Sequence, residues 1–145
     1  MVNEIIVERV LEAQAEGTGE VSSSIVDVGG AQGVCFVVAM GTITDGTPVI
    51  KAQQGNNDNG NDMQDLVGSI TLTDDDSNKL AIIDVKNPTK RYVRVVVDRS
   101  VGTPSTGSVI DDAIAIKYSG RVYPTLMGTT VANKILLVSP EEVAV

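Results

Sequence analysis

Residues 91–99 read RYVRVVVDR, and the apolar side chains fall at every second position. Val93, Val95 and Val97 share one face; Tyr92, Arg94 and Asp98 share the other, with Val96 among them. A period of two is the mark of a strand with one face buried. The pattern recurs at residues 110–118 (IDDAIAIKY), where Ile110, Ile114, Ile116 and Tyr118 are expected on one face, opposite Asp111 and Lys117. Residues 34–40 are apolar throughout, as in a central strand covered on both sides. Shorter strands are expected at 24–28, 48–53, 69–73 and 80–85, all rich in β-branched residues. Gly29-Gly30, Gly41, Asp45-Gly46, Asn87-Pro88, residues 102–104 and Gly120 separate the runs at intervals of roughly ten residues.

Regular short strands with Gly, Asp and Asn between them predict an all-β fold: a single-domain β-sandwich or barrel, with a jelly-roll-like form among its variants. At most one or two short helices are expected. Residues 3–15 fit either a strand or a helix, because Ile6, Val10 and Ala13 are helically spaced while Ile5-Ile6-Val7 is strand-like. Thr73 followed by three Asp can cap one short helical turn. The expected organisation is an N-terminal arm or edge strand over residues 1–20, a sandwich over 21–138 and a C-terminal tail over 139–145. The core is expected to include Phe36, Val38, Val93, Val95, Ile114 and Ile116. A chain of 145 residues can bury about two-thirds of its unfolded surface without metals or disulfides.

Composition narrows the chemistry. There is no His, so no Ser-His-Asp or Cys-His nucleophile and no histidine-ligated zinc. One Cys excludes an internal disulfide, and Cys35 in the most apolar run is expected as a small core residue. Neither a catalytic residue nor a cofactor is assigned. A net charge of −8 with three Tyr and one Phe argues against nucleic-acid binding, which rests on phosphate neutralisation and base stacking. No run reaches the roughly 18 apolar residues of a membrane span. The start has neither the basic nor the apolar region of a signal peptide, so synthesis in a host cytoplasm is expected.

Four polar clusters are candidates for chemistry. Residues 56–62 hold Asn56, Asp58 and Asp62, oxygen ligands that could wrap calcium, but no Glu closes the loop as in an EF-hand, and a solvated turn is the favoured reading. The run of Asp74, Asp75 and Asp76 reads as a turn or helix cap. Asp111-Asp112 lacks a visible partner for acid–base work. Gly29, Gly30 and Gly33 lack the spacing of a phosphate loop.

Charge along the chain carries the strongest signal. Residues 1–30 hold six acids and one base, and residues 45–85 hold eight acids and two bases. Residues 86–121 reverse this with seven bases against three acids, a local net charge of +4. Arg91, Tyr92, Arg94, Arg99 and Arg121 are therefore the candidates for a basic docking face, since Tyr and Arg are enriched at interface hot spots. If their strands pair, Arg94 stands beside Lys117 or Arg121. Ile5, Ile6 and Val7 are the candidates for an edge strand that joins a neighbouring subunit.

Three stretches carry a family resemblance: IKAQQG at 50–55, AIIDVKNPTKRYVR at 81–94 and AIAIKYSGRVYP at 113–124. With these the chain resembles, from about residue 23 to 124, small β-rich tailed-bacteriophage proteins encoded near the major capsid protein, of which capsid decoration (cement) proteins are the type. The resemblance implies a structural virion protein that coats the outer capsid surface and stabilises contacts between capsomers. Its implied partners are the major capsid protein and itself, as a dimer or trimer, with localisation on the capsid surface. A head–tail connector or tail protein, and a calcium- or carbohydrate-binding β-sandwich, are the alternatives.

Overall fold

The computed structural model describes residues 5–119 and 130–138. The strands run in chain order as β1 (Ile5–Leu11), β2 (Gln14–Gly17), β3 (Glu20–Ser22), β4 (Val26–Asp27), β5 (Gly33–Ile43), β6 (Val49–Gly55), β7 (Gln64–Asp65), β8 (Ile70–Thr71), β9 (Leu80–Lys86), β10 (Tyr92–Asp98), β11 (Ser108–Tyr118) and β12 (Val131–Val138). The only helical turn among the described residues is a 3-10 turn at Asp74–Asp76, where the Asp76 carboxylate accepts the Thr73 N–H at 3.0 Å. The first apolar stretch resolves as strand rather than helix, because β1 pairs with β11 along its length.

Two six-stranded sheets pack face to face as a β-sandwich. The first runs β1-β11-β5-β9-β12, with β2 continuing the β1 edge along β11; the second runs β3-β10-β6-β7, with β4 beside β10 and β8 beside β6. All ladders are antiparallel except β12 on β9. Alternation decides which side chains fill the space between the sheets. Val34, Phe36, Val38 and Met40 of β5 meet Val93, Val95 and Val97 of β10 and Ile50 and Ala52 of β6. Val10 and Leu11 also enter this core, so the first strand is integral to the sandwich rather than a detached arm.

Two of the expected core residues face the other way. Ile114 and Ile116 lie on the outer face of the first sheet, while Ala113 and Ala115 fill the core. Ile110 is nonetheless fully buried inside. The reason is a β-bulge: Ile110 pairs with Met40 but Asp112 pairs with Ala39, so one extra residue in β11 reverses the side-chain parity. On the outer face Cys35, Ile82 and Tyr118 form a second cluster with Val37, Ile116 and Val131 packed on it. Cys35 is thus buried in a satellite cluster and not in the main core. Tyr118 donates its hydroxyl to Asp84 Oδ1 at 2.6 Å. That hydroxyl lies over Gly33, where any Cβ would collide with it.

Candidate functional site

The two sheets end together on one flank of the sandwich. There β1 is the edge of the first sheet and β3 and β4 form the edge of the second. Ser24 N–H donates to the Val10 carbonyl at 2.8 Å and ties the edges together. Ile5, Ile6 and Val7 are 61%, 52% and 59% exposed, three of the four large apolar side chains left exposed among the described residues. Natural edge strands usually carry charge at such positions, so this edge is unusual. Beside Ile6, a recess of about 180 Å³ is lined by Gly29, Gly30 and Lys117.

Arg91 stands on the same flank. Its guanidinium grips Asp27 with two bonds, Nε to Oδ1 at 3.0 Å and Nη2 to Oδ2 at 2.9 Å, and lies 5.5 Å from the centre of the Tyr92 ring. The Arg91 bonds, with the Gly29 amide, hold Asp27 at about 2, below the usual 3.8. Lys117 Nζ donates to the Asp27 carbonyl at 3.3 Å and lies 3.9 Å from Glu8. The fold therefore brings Ile5, Ile6, Val7 and Arg91 to one flank through Asp27 and Lys117.

Tyr92 and Arg94 project together from the outer face of the second sheet, both half-buried. Pairing of β10 with β6 sets Arg94 opposite Gln53, and Arg94 Nε donates to Gln53 Oε1 at 2.8 Å. Gln53 Nε2 donates to Asp65 Oδ1 at 2.6 Å, and Lys51 pairs with Asp65 Oδ2 at 3.1 Å. Arg91 and Lys51 are thus matched by carboxylates, whereas the partner of Arg94 is a neutral amide. Among the described residues no carboxylate lies within ion-pair distance of Arg94.

Three expectations about the basic face need correction. Arg99 is not on it: the side chain is 7% exposed at the far end of β10. Its Nε donates to the Gly19 carbonyl at 3.0 Å, and its Nη1 donates to the carbonyls of Ala15 and Ser108, both at 2.9 Å. Burial pushes its pKa down. Arg94 and Lys117 do not stand side by side, because β10 and β11 belong to different sheets. The local charge of +4 is also met in part by acids from other segments, Asp27 against Arg91 and Glu8 against Lys117. Arg121 lies outside the described residues. Asp27, Gln53 and Asp65 belong to this surface yet were not singled out from the sequence; the alternation of Lys51 and Gln53 was the available signal.

The polar loops hold themselves. Asp62 accepts the Asn56 and Asn57 amides at 2.8 and 3.1 Å, which lowers its pKa, so its carboxylate is turned into its own loop. Asp45 does the same for the loop before β11, accepting the amides of Gly107 and Ser105, which hold it at about 2. Among the described residues no group of three His, Cys, Asp or Glu side chains is placed to hold a metal ion. Asp112 pairs with Arg9 at 2.9 Å instead of with a second carboxylate. Comparisons with models of known families, with curated proteins and with solved structures give no match.

Proposed function

We propose that this protein is a structural coat protein of a tailed-phage virion: it binds the outer surface of the capsid and stabilises contacts between capsomers. The carrying observation is the Tyr92–Arg94 surface, a rigid sheet face with an amphipathic ring beside a cation held by a neutral partner. Such a pair suits an acidic partner surface, with Arg supplying forked donors and Tyr the apolar contact. At a net charge of −8 the whole chain repels acidic surfaces at long range. Within a Debye length of roughly 8 Å at physiological salt, the charges around Arg94 matter more than the distant acids. The described parts of the three stretches of family resemblance fall on β6, on β9 through β10, and, over residues 113–118, on β11, strands that contribute to both sheets. A shell also presents many equivalent sites, so modest single contacts add up when subunits are joined.

The test is to mix the protein with undecorated phage capsids and follow shell disassembly on heating. The proposal expects saturable binding and a higher disassembly temperature. Shells that melt unchanged in its presence contradict it.

A further inference from the structure

We infer that β1 pairs antiparallel with the β1 of a second copy, with Val7 opposite Val7 on the two-fold axis. The inference deepens the coat-protein reading by naming the contact through which copies join.

The direction of the backbone groups comes first. Gln32, which immediately precedes β5, donates its N–H to the Tyr118 carbonyl at 2.9 Å, so Tyr118 turns its backbone groups toward β5. In an antiparallel ladder, N–H and C=O of one residue point the same way and alternate along the strand. Ile116 and Ile114 therefore also turn toward β5. Their β1 partners are Ile5 for Tyr118, Val7 for Ile116 and Arg9 for Ile114. The N–H and C=O groups of Ile5, Val7 and Arg9 consequently face the open edge. Ile6 and Glu8 spend theirs on β11.

A two-fold pairing of Ile5 with Arg9, Ile6 with Glu8 and Val7 with itself satisfies all the open groups of these three residues. It also keeps each sheet face continuous across the axis. Charge and pairing select this register. Sliding by two residues one way sets Glu8 against Glu8, and sliding the other way leaves the open groups of Arg9 without a partner among the described residues of β1. Like charges directly opposite are destabilising. A slip of one residue reverses the faces and misaligns the donors. In the favoured register the stem of Arg9 covers Ile5, and the exposed Val7 side chains meet each other. One surface used by both partners closes as a dimer.

Two variants test this by sedimentation and crosslinking. Val7→Pro removes a donor that faces the open edge and none that faces β11, a position where an edge strand tolerates proline. Val7→Cys places two thiols across the axis, on Cα atoms about 5.5 Å apart, within disulfide reach. Ile5→Cys would separate them by about 13 Å along the strand. The native Cys35 is 2% exposed and stays silent. The wild type is expected at twice the chain mass of 15.2 kDa, and Val7→Pro at the single mass and still folded by circular dichroism. Oxidised Val7→Cys is expected to give a covalent dimer, and Ile5→Cys none. A wild type that remains monomeric at about 100 μM, far above a micromolar Kd, overturns the inference. So does a Val7→Pro dimer, or crosslinking of Ile5→Cys as fast as Val7→Cys. A monomer that still coats shells removes the dimer alone; a dimer that ignores shells removes the coat reading alone.

Discussion

Arg99 shows how one residue can change role when its surroundings are known. As a base in a basic segment it belongs to the surface, but the fold buries it and gives it three carbonyls instead of a carboxylate. It bolts the β2–β3 connection to the start of β11. Removing the cation orphans those carbonyls, so Arg99→Ala is expected to cost on the order of 3 kcal/mol in urea unfolding. Arg99→Lys should restore only part of this, since a compact ammonium cannot span the fork. A second residue-scale expectation concerns acid. Asp27 and Asp45 are held at about 2, Asp27 by Arg91 and the Gly29 amide, Asp45 by the Gly107 and Ser105 amides. Their folded pKa values lie below the unfolded value near 3.8. The stability they supply is therefore fully present above the unfolded pKa and is lost as pH falls toward the folded one. Melting temperature should hold from neutral pH down to about pH 5 and drop between about pH 4 and pH 2. The pair Asp27→Asn and Asp45→Asn should be less stable at neutral pH and show a shallower drop.

At the scale of elements, the β11 bulge decides which residues are core. Ile110→Ala should cost about 2–5 kcal/mol, as for other buried large-to-small changes, and Ile114→Ala under about 1 kcal/mol, measured by denaturant unfolding. Equal costs would mean that the strand runs without a bulge. This is also where sequence reading fell short. Period-two alternation located β5, β6, β9, β10 and β11 because each has one face buried by the facing sheet. It assigned Val93, Val95 and Val97 to the correct face, since β10 pairs with β6 without interruption. It placed Ile114 and Ile116 inside because a bulge leaves no trace in the pattern of apolar residues. It missed β12, whose Ile135-Leu136-Leu137-Val138 run does not alternate, and the edge strands β2, β3 and β7, whose two to four residues are too few to show a period. The exposed edge at Ile5–Val7 was legible as strand-like and apolar. Its place at an edge was expected as well, and β1 is the edge of the first sheet.

The whole molecule has two unlike outer faces. The first sheet turns Ile114, Ile116, Val37 and Tyr118 outward, while the second carries Lys51, Gln53, Asp65, Arg94 and Tyr92. The polar face is mostly self-compensated, which places the weight of the docking proposal on Arg94. Arg91 already has its carboxylate, so Arg91→Ala should weaken shell binding less than Arg94→Ala does. Asp75, exposed on the 3-10 turn, should be neutral. Truncating one side of a buried interfacial Arg–carboxylate contact typically costs about 2–5 kcal/mol, which corresponds to a loss of binding of roughly 30-fold or more. The most direct measurement is co-sedimentation of the wild type, Arg94→Ala and Asp75→Ala with undecorated phage capsids at low and moderate salt. The account predicts that wild type and Asp75→Ala travel with the shells while Arg94→Ala stays in the supernatant. Arg94→Ala binding as tightly as the wild type, or a wild type that never leaves the supernatant, would contradict it.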